Sequence, residues 1–225
     1  MQASDFVDKN VTVMGLGRFL QGSGVGAAKW LMRHGAQTTI TDLKNEEDLK
    51  DSMDEVIYWF DKYKETYPNW KLYRPVFVMG EHRDQDFVGV DYVVQNPDVP
   101  RESEYVKLAR EHKVRMLSDV AIFYELCPHP FVAVTGAKGK STTTSMIGDI
   151  FVAVNNRAVI AGNIKVSPLE HLDEILEDEE PRPIVLELSS WLLESLDEVD
   201  RGPEIAVLTN LYPDHLNRYD SFVHY

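Results

Sequence analysis

Short apolar runs alternate with helix-period segments along most of the chain. Asn10-Val-Thr-Val-Met14 is a β-branched run that ends at Gly15-Leu-Gly17. After a second glycine cluster, Gly22–Gly26, the apolar residues Val25, Ala28, Leu31 and Met32 recur at helical spacing. Gly35 stands where a helix C-terminus favours a left-handed residue. Thr38–Thr41 reads as a second strand with Asp42 at its carboxyl end, which completes a βαβ unit and predicts a parallel sheet. From Glu46 to about Tyr67, Leu49, Met53, Val56, Ile57 and Phe60 keep a 3.6 period, predicting a surface helix packed by one face. Its acids (Glu46, Glu47, Asp48, Asp51, Asp54, Glu55) read as a solvated face, with a metal or partner site as the alternative.

Val76–Met79 and Tyr92–Gln95 are buried-type strands, and the prolines of Asn96-Pro-Asp-Val-Pro100 stop the second. Ser103 is placed to cap a helix to about His112. Val114–Leu117 reads as a strand, and Ser118 opens a helix to about Leu126. Cys127-Pro-His-Pro130 then reads as a linker. Phe131–Thr135 begins a second alternation, with a helix through about Val154 and strands at Ala158–Ala161, Ile184–Leu188 and Ile205–Thr209. Leu169–Glu180 reads as an acidic helix or lid. The expected fold class is α/β: a Rossmann-like parallel-sheet domain over residues 1–127, then an incomplete P-loop α/β domain over 128–225. Ile205–Thr209 is expected at an exposed sheet edge.

Composition narrows the partners. At 225 residues, one large or two small domains are expected. Lys+Arg is 23 and Asp+Glu 37, so the net charge is 23 − 37 = −14. Nucleic acid or an anionic membrane would be repelled at long range, so neither is an expected partner, and any anionic ligand needs a local device. The single cysteine, Cys127, allows no intrachain disulfide and suits a reducing cytoplasm. The first ten residues do not read as a secretion signal, and no apolar run approaches the roughly 18 residues of a membrane span.

Thr135-Gly-Ala-Lys-Gly-Lys-Ser-Thr-Thr-Thr144 carries the strongest chemistry. Phosphate oxygens need converging N–H donors, and a glycine loop between strand and helix lets the backbone wrap them. Gly136, Ala137, Lys138, Gly139, Lys140, Ser141 and Thr142 are therefore candidates for nucleotide phosphates. Lys140 supplies a point charge and Ser141 a hydroxyl for Mg2+. The strict Walker pattern would have glycine at 134, where Val134 stands. Gly15-Leu-Gly17 is less specific, since Leu20 occupies the last glycine position of GxGxxG. Nucleotide-type binding, with Asp42 and Lys44 as partners, and a purely structural turn are both open. Glu187 lies in an apolar strand and must be metal-bound or ion-paired. His215, beside Asp214 and Asn210 in a strand-exit loop, is a candidate ligand or orienting group. Lys140, Asn163, Glu187 and His215 all follow strand carboxyl ends, where open α/β sheets bind ligands.

Taken in order, TGAKGKSTTT, AGN, ELSSWLLE and NLYPDHLNR, preceded by GLG, TITD and QNPDVP, resemble the Mur ligases of peptidoglycan synthesis. The resemblance implies ATP and Mg2+ as cofactors, UDP-N-acetylmuramoyl-L-alanine and D-glutamate as substrates, and a monomeric cytoplasmic enzyme. It also implies phosphoryl transfer to the alanyl carboxylate, giving an acyl phosphate that the incoming amine attacks. By position, Gly139, Lys140 and Ser141 would cradle ATP, while Ser141, Glu187 and His215 would hold metal. Asn163 and Ser189 would meet the muramoyl substrate, and Leu16, Gly17, Asp42, Leu43, Lys44, Asn96 and Pro97 the UDP moiety. Catalytic roles fall to Lys140, Asn163 and His215. Two departures are visible: Leu192 replaces the glutamine of ELSSFQL, and Lys165 replaces the last glycine of GNIG. The family's carbamylated lysine and amino-acid-binding domain would follow Tyr225, so the chain is expected to be an amino-terminal half, inactive alone. A non-catalytic nucleotide or UDP-sugar binder, or a relative such as folylpolyglutamate synthase, is the alternative.

Overall fold

A computed structural model describes residues 1–154, 157–213 and 221–222. It contains two parallel sheets flanked by helices. The first is built from β1 (Asn10–Met14), β2 (Gln37–Asp42), β3 (Val76–Met79), β4 (Tyr92–Gln95) and β5 (Arg115–Leu117), in the order β3-β2-β1-β4-β5. Its helices are α1 (Ser23–Arg33), α2 (Glu46–Thr66), α3 (Glu104–Glu111) and α4 (Asp119–Leu126). The second sheet has β6 (Val132–Thr135), β7 (Val159–Gly162), β8 (Ile184–Glu187) and β9 (Ile205–Leu208), in the order β7-β8-β6-β9. Its helices are α5 (Lys140–Val154), α6 (Leu169–Glu177) and α7 (Ser190–Glu194).

Side chains alternate across the first sheet. Val13 and Val94 join the large apolar cluster, while their neighbours Met14 and Val93 join a smaller one with Phe87 and Val106 on the opposite face. Burial on both faces follows from right-handed crossovers that place helices on either side. Gly35 has φ +76° and ends α1 as the spacing predicts. Ser118 caps α4 by accepting from Ala121 N at 3.0 Å.

Two expectations change. β3 is an edge strand with Val76 53% exposed, because it pairs only with β2. Ser103 precedes α3 but makes no side-chain cap; its φ of −51° departs from the extended geometry that aims a capping oxygen at the helix. The Cys127–Pro130 segment connects α4 to β6, as a linker would, and is packed down. Cys127 and His129 are buried, and the Arg201 guanidinium donates to the carbonyls of Tyr124, Cys127 and His129.

One apolar cluster therefore runs from Phe6 and Trp30 through Phe123 and Phe131 to Leu172 and Leu186, beneath both sheets. α6, read as a helix or lid, is a packing helix that buries Leu169, Leu172 and Ile175. Asp173 on α6 accepts from two α1 side chains, Trp30 Nε1 (2.9 Å) and Arg33 Nη1, and from His34 Nε2 (2.9 Å) just past the end of α1. Burial alone would raise the Asp173 carboxyl, but the His34 and Arg33 hydrogen bonds outweigh it and hold it below its ordinary value. Ser167 Oγ donates to Asp119 at 2.7 Å and Ser167 N to Gln21 O at 2.6 Å, joining the two halves beside the glycine turn. As expected, β9 lies at a sheet edge, with Ile205 55% and Leu208 62% exposed. Among the described residues, no helix is long and apolar enough to cross a membrane.

Candidate functional site

The loop after β6 is shaped by its neighbour β9. Gly136 has φ +135°, and a Cβ there would lie 2.2 Å from Thr209 Oγ1, so only glycine fits. Thr209 and Asn210 strap the loop: Thr209 Oγ1 donates to Lys138 O (2.7 Å), and Asn210 Nδ2 to the same oxygen (2.8 Å). Asn210 Oδ1 and O accept from Lys138 N (2.9 Å) and Ala137 N (3.1 Å). Val134, which takes the place of the first Walker glycine, is fully buried in β6 and opposite Glu187, because the strand continues past that position. α5 opens at Lys140 with no acid in its first turn. Ser141 and Thr142 are exposed there, at the positive end of the helix dipole. Lys140 Nζ lies over the loop, donating to Gly136 O (2.7 Å) and Ala137 O (3.2 Å).

Glu187 sits one strand away, at the carboxyl end of β8 and only 1% exposed. Its Oε1 accepts from Asn163 Nδ2 at 3.0 Å, and its Oε2 is buried without a hydrogen-bond partner. No ion pair to Glu187 forms among the described residues, which weighs against the structural ion-pair alternative. Leaving a buried carboxylate oxygen unmatched costs several kcal/mol unless a cation or solvent meets it. That orphan oxygen, beside a loop with a free hydroxyl at Ser141, fits a hard divalent cation. The described residues hold no cluster of three or more His, Cys, Asp or Glu, so such an ion would take its remaining ligands from elsewhere. His215, the third candidate ligand, lies outside the described residues.

The glycine turn after β1 is organised differently. Asp42 is buried at the end of β2, and Oδ2 accepts from Leu16 N (3.0 Å) and Gly17 N (3.2 Å), while Oδ1 accepts from Lys44 N (3.0 Å). Asn96 Nδ2 donates to Gly15 O at 3.2 Å, tying in the end of β4. Two cavities open here. One, of about 190 Å3, is lined by Asp42, Leu43, Lys44, His82 and Asn96. The other, of about 230 Å3, is lined by Leu16, Gly17, Lys44, Asn96 and Pro97 from the first half, and by Asn163 and Lys165 from the second. Gly17, Lys44, Asn96 and Asp98 line both, so the two are compartments of one cleft.

Most predicted substrate-side residues thus share this cleft. Ser189 instead caps α7, accepting from Leu192 N at 3.3 Å. Sequence reasoning missed His82. Its Nδ1 lies 2.8 Å from Thr41 Oγ1, and its ring packs edge-on to Phe87 and Tyr105. Burial lowers its pKa against the opposing pull of Asp42 and Asp86, leaving a neutral imidazole at neutral pH. The only available signal was its place soon after the carboxyl end of a strand.

A strand–glycine loop–helix with a lysine folded over the loop and a buried neighbouring carboxylate has the form of a P-loop α/β domain, here joined to a Rossmann-like half. The comparisons narrow the class. Residues 134–225 match the Mur ligase middle domain. The chain is 40% identical to UDP-N-acetylmuramoylalanine--D-glutamate ligase of Roseiflexus sp. (strain RS-1), over 96% of this chain and 42% of that one. It is 37% identical to the protein of the same name from Borreliella afzelii (strain PKo), over 100% of this chain and 45% of that one. The chain spans less than half the length of these relatives. Among solved structures, a UDP-N-acetylmuramate:L-alanyl-gamma-D-glutamyl-meso-diaminopimelate ligase from Neisseria meningitides has a TM-score of 0.56 at 17% identity, covering 96% of this chain and 65% of that one. That likeness bears on the fold. The chain is thus similar to Mur ligases along its whole length, with the family's middle domain matched at residues 134–225.

Proposed function

We propose that this chain supplies the nucleotide- and substrate-binding part of an ATP-dependent ligase that adds D-glutamate to UDP-N-acetylmuramoyl-L-alanine in cytoplasmic peptidoglycan-precursor synthesis. Residues 1–127 hold the UDP-linked substrate and residues 128–225 the ATP, and the protein acts as a monomer. The observation that carries the reading is the Asn163–Glu187 hydrogen bond. It joins the substrate cleft directly to the strand beside the phosphate loop, with one carboxylate oxygen still free.

Each residue's part follows from its position. The Gly139 amide and the first-turn amides of α5 surround the phosphates, and Lys140 swings from its own loop carbonyls to the outer phosphate oxygens. Ser141 Oγ and Glu187 Oε2 are the proposed Mg2+ ligands, with His215 as a further one. Bound Mg-ATP supplies the transferable phosphoryl group and the positive charge that offsets the transition state. Asn163 is anchored by its backbone N–H to Glu187 O at 2.8 Å and orients the muramoyl substrate. Asp42 acts through the turn it holds, presenting Leu16 and Gly17 to the nucleotide. Leu43, Lys44, Asn96 and Pro97 line the nucleotide end. Such chemistry needs positioning and charge neutralisation rather than a protein nucleophile.

The test is equilibrium titration of the chain with Mg-ATP and, separately, with UDP-N-acetylmuramoyl-L-alanine and folate. Binding of the first two, loss of nucleotide heat in Lys140→Ala and no folate uptake are expected. Folate retention without UDP-substrate retention would overturn the assignment in favour of a folylpolyglutamate-type relative. Phosphate release dependent on both ATP and UDP-N-acetylmuramoyl-L-alanine would distinguish a ligase from a non-catalytic binder.

A further inference from the structure

Lys165 stands at φ +71°, in the left-handed region, one of three non-glycine residues so placed among the described residues. That conformation is strained for a residue that bears a side chain, and glycine would remove the strain. The side chain returns little in packing, since Lys165 is exposed and its Nζ lies 4.7 Å from the centre of the half-exposed Phe19 ring. Its backbone is nonetheless held in place. Gly162 N donates to Val166 O at 2.8 Å across the turn, and Asn163 N is tied to Glu187 O at 2.8 Å. The turn thus delivers a lysine from the second half into the 230 Å3 compartment, opposite the glycine turn of the first.

That compartment is short of positive potential for a phosphorylated ligand. The Leu16 and Gly17 amides face Asp42, and Arg18 is paired with Asp48 at 2.8 Å. Asp98 adds a negative charge to the wall, and the whole chain carries −14. Lys44 and Lys165 are the lining cations that form no ion pair with a carboxylate among the described residues. We propose that Lys165 is a specificity residue, the cation that the second half contributes to the diphosphate of a nucleoside-diphosphate-linked substrate bound mainly by the first. This rests on the reading of the cleft as the UDP-substrate site. On ligand binding the ammonium leaves Phe19 for the diphosphate oxygens, so one ligand is gripped from both halves of the molecule.

Calorimetric titration of the chain with UDP and with uridine, for wild type, Lys165→Gly and Lys165→Arg, tests it. A lysine–phosphate contact predicts about tenfold weaker UDP binding in Lys165→Gly, unchanged uridine binding, and recovery of UDP binding in Lys165→Arg. The melting temperature of Lys165→Gly is expected to equal or exceed that of wild type, which separates lost contact from lost structure. Unchanged UDP affinity in Lys165→Gly, or equal losses for UDP and uridine, would overturn the role of Lys165 while leaving the cleft assignment standing. Wild-type protein that takes up neither ligand would overturn the cleft assignment and this inference with it.

Discussion

The molecule has two glycine turns of similar composition that use their backbone donors in opposite ways. In the turn after β1, the Leu16 and Gly17 amides are directed inward to Asp42, and Asn96 ties down Gly15 O. In the loop after β6, Thr209 and Asn210 bind the Lys138 carbonyl and the Ala137 and Lys138 amides, leaving Gly139 and the first turn of α5 facing outward. A carboxylate that consumes amides makes a rigid wall; a strap that binds mainly the inner rim of a loop leaves an anion cradle. The glycines are alike, and the partner in the adjacent strand decides the role.

The comparison breaks first at Gly136. Replacement by Ala forces a Cβ to 2.2 Å from Thr209 Oγ1 and 2.8 Å from Asn210 O. A loss of about 3 kcal/mol or more in chemical denaturation is expected, together with loss of ATP binding. Asp42→Ala, which leaves the buried Leu16 amide and the part-buried Gly17 and Lys44 amides without their acceptor, is expected to cost about 2 kcal/mol and to weaken UDP-substrate binding while sparing ATP. Should Asp42→Ala instead strengthen binding of the UDP-linked substrate, its amides would be ligand donors and the contrast between the turns would vanish.

Between the two halves, the end of α1 is clamped to α6 through Asp173. Its carboxyl is depressed below the ordinary 3.8 in the folded protein, so its contribution is complete above that value and fades as pH falls through the folded pKa. The stability gap between wild type and Asp173→Asn, measured by urea denaturation, should therefore be about 2 kcal/mol at pH 7 and close below about pH 4. A gap that widens in acid would contradict the clamp. Lys140→Ala sharpens the comparison further: nucleotide affinity should drop at least about tenfold while the folded state changes by no more than about 1 kcal/mol. The smallest effect is expected at the edge strand. Leu208→Lys should alter stability by under about 0.5 kcal/mol, yet reduce concentration-dependent association seen by light scattering.

Much of this architecture was legible beforehand. Strands at Asn10, Thr38, Phe131 and Ile184 announced themselves as β-branched or apolar runs, and the phosphate loop by its glycines and lysine between strand and helix. The edge position of β9 was anticipated as well. The Cys127–Pro130 segment was legible as a connection by its prolines, but its packing was not. The residue that buries it, Arg201, lies more than seventy positions away and carries no local mark. His82 escaped notice for a similar reason: a lone histidine after a strand is common, and its approach to Thr41 and Asp42 depends on how β3 pairs with β2.

Local sequence determined the elements, because backbone preference, hydrophobic period and turn chemistry act over a few residues. It also determined the place of the glycine loop between β6 and α5, which lies in one short stretch. Only the tertiary structure decided which donors stay available. Asp42, Glu187 and Thr209 reach their loops from neighbouring strands, and parallel pairing sets that register through contacts distant in the chain. It alone brought Asn163 and Lys165 opposite Gly17, because the two halves bury one continuous apolar cluster and so face each other across a single cleft.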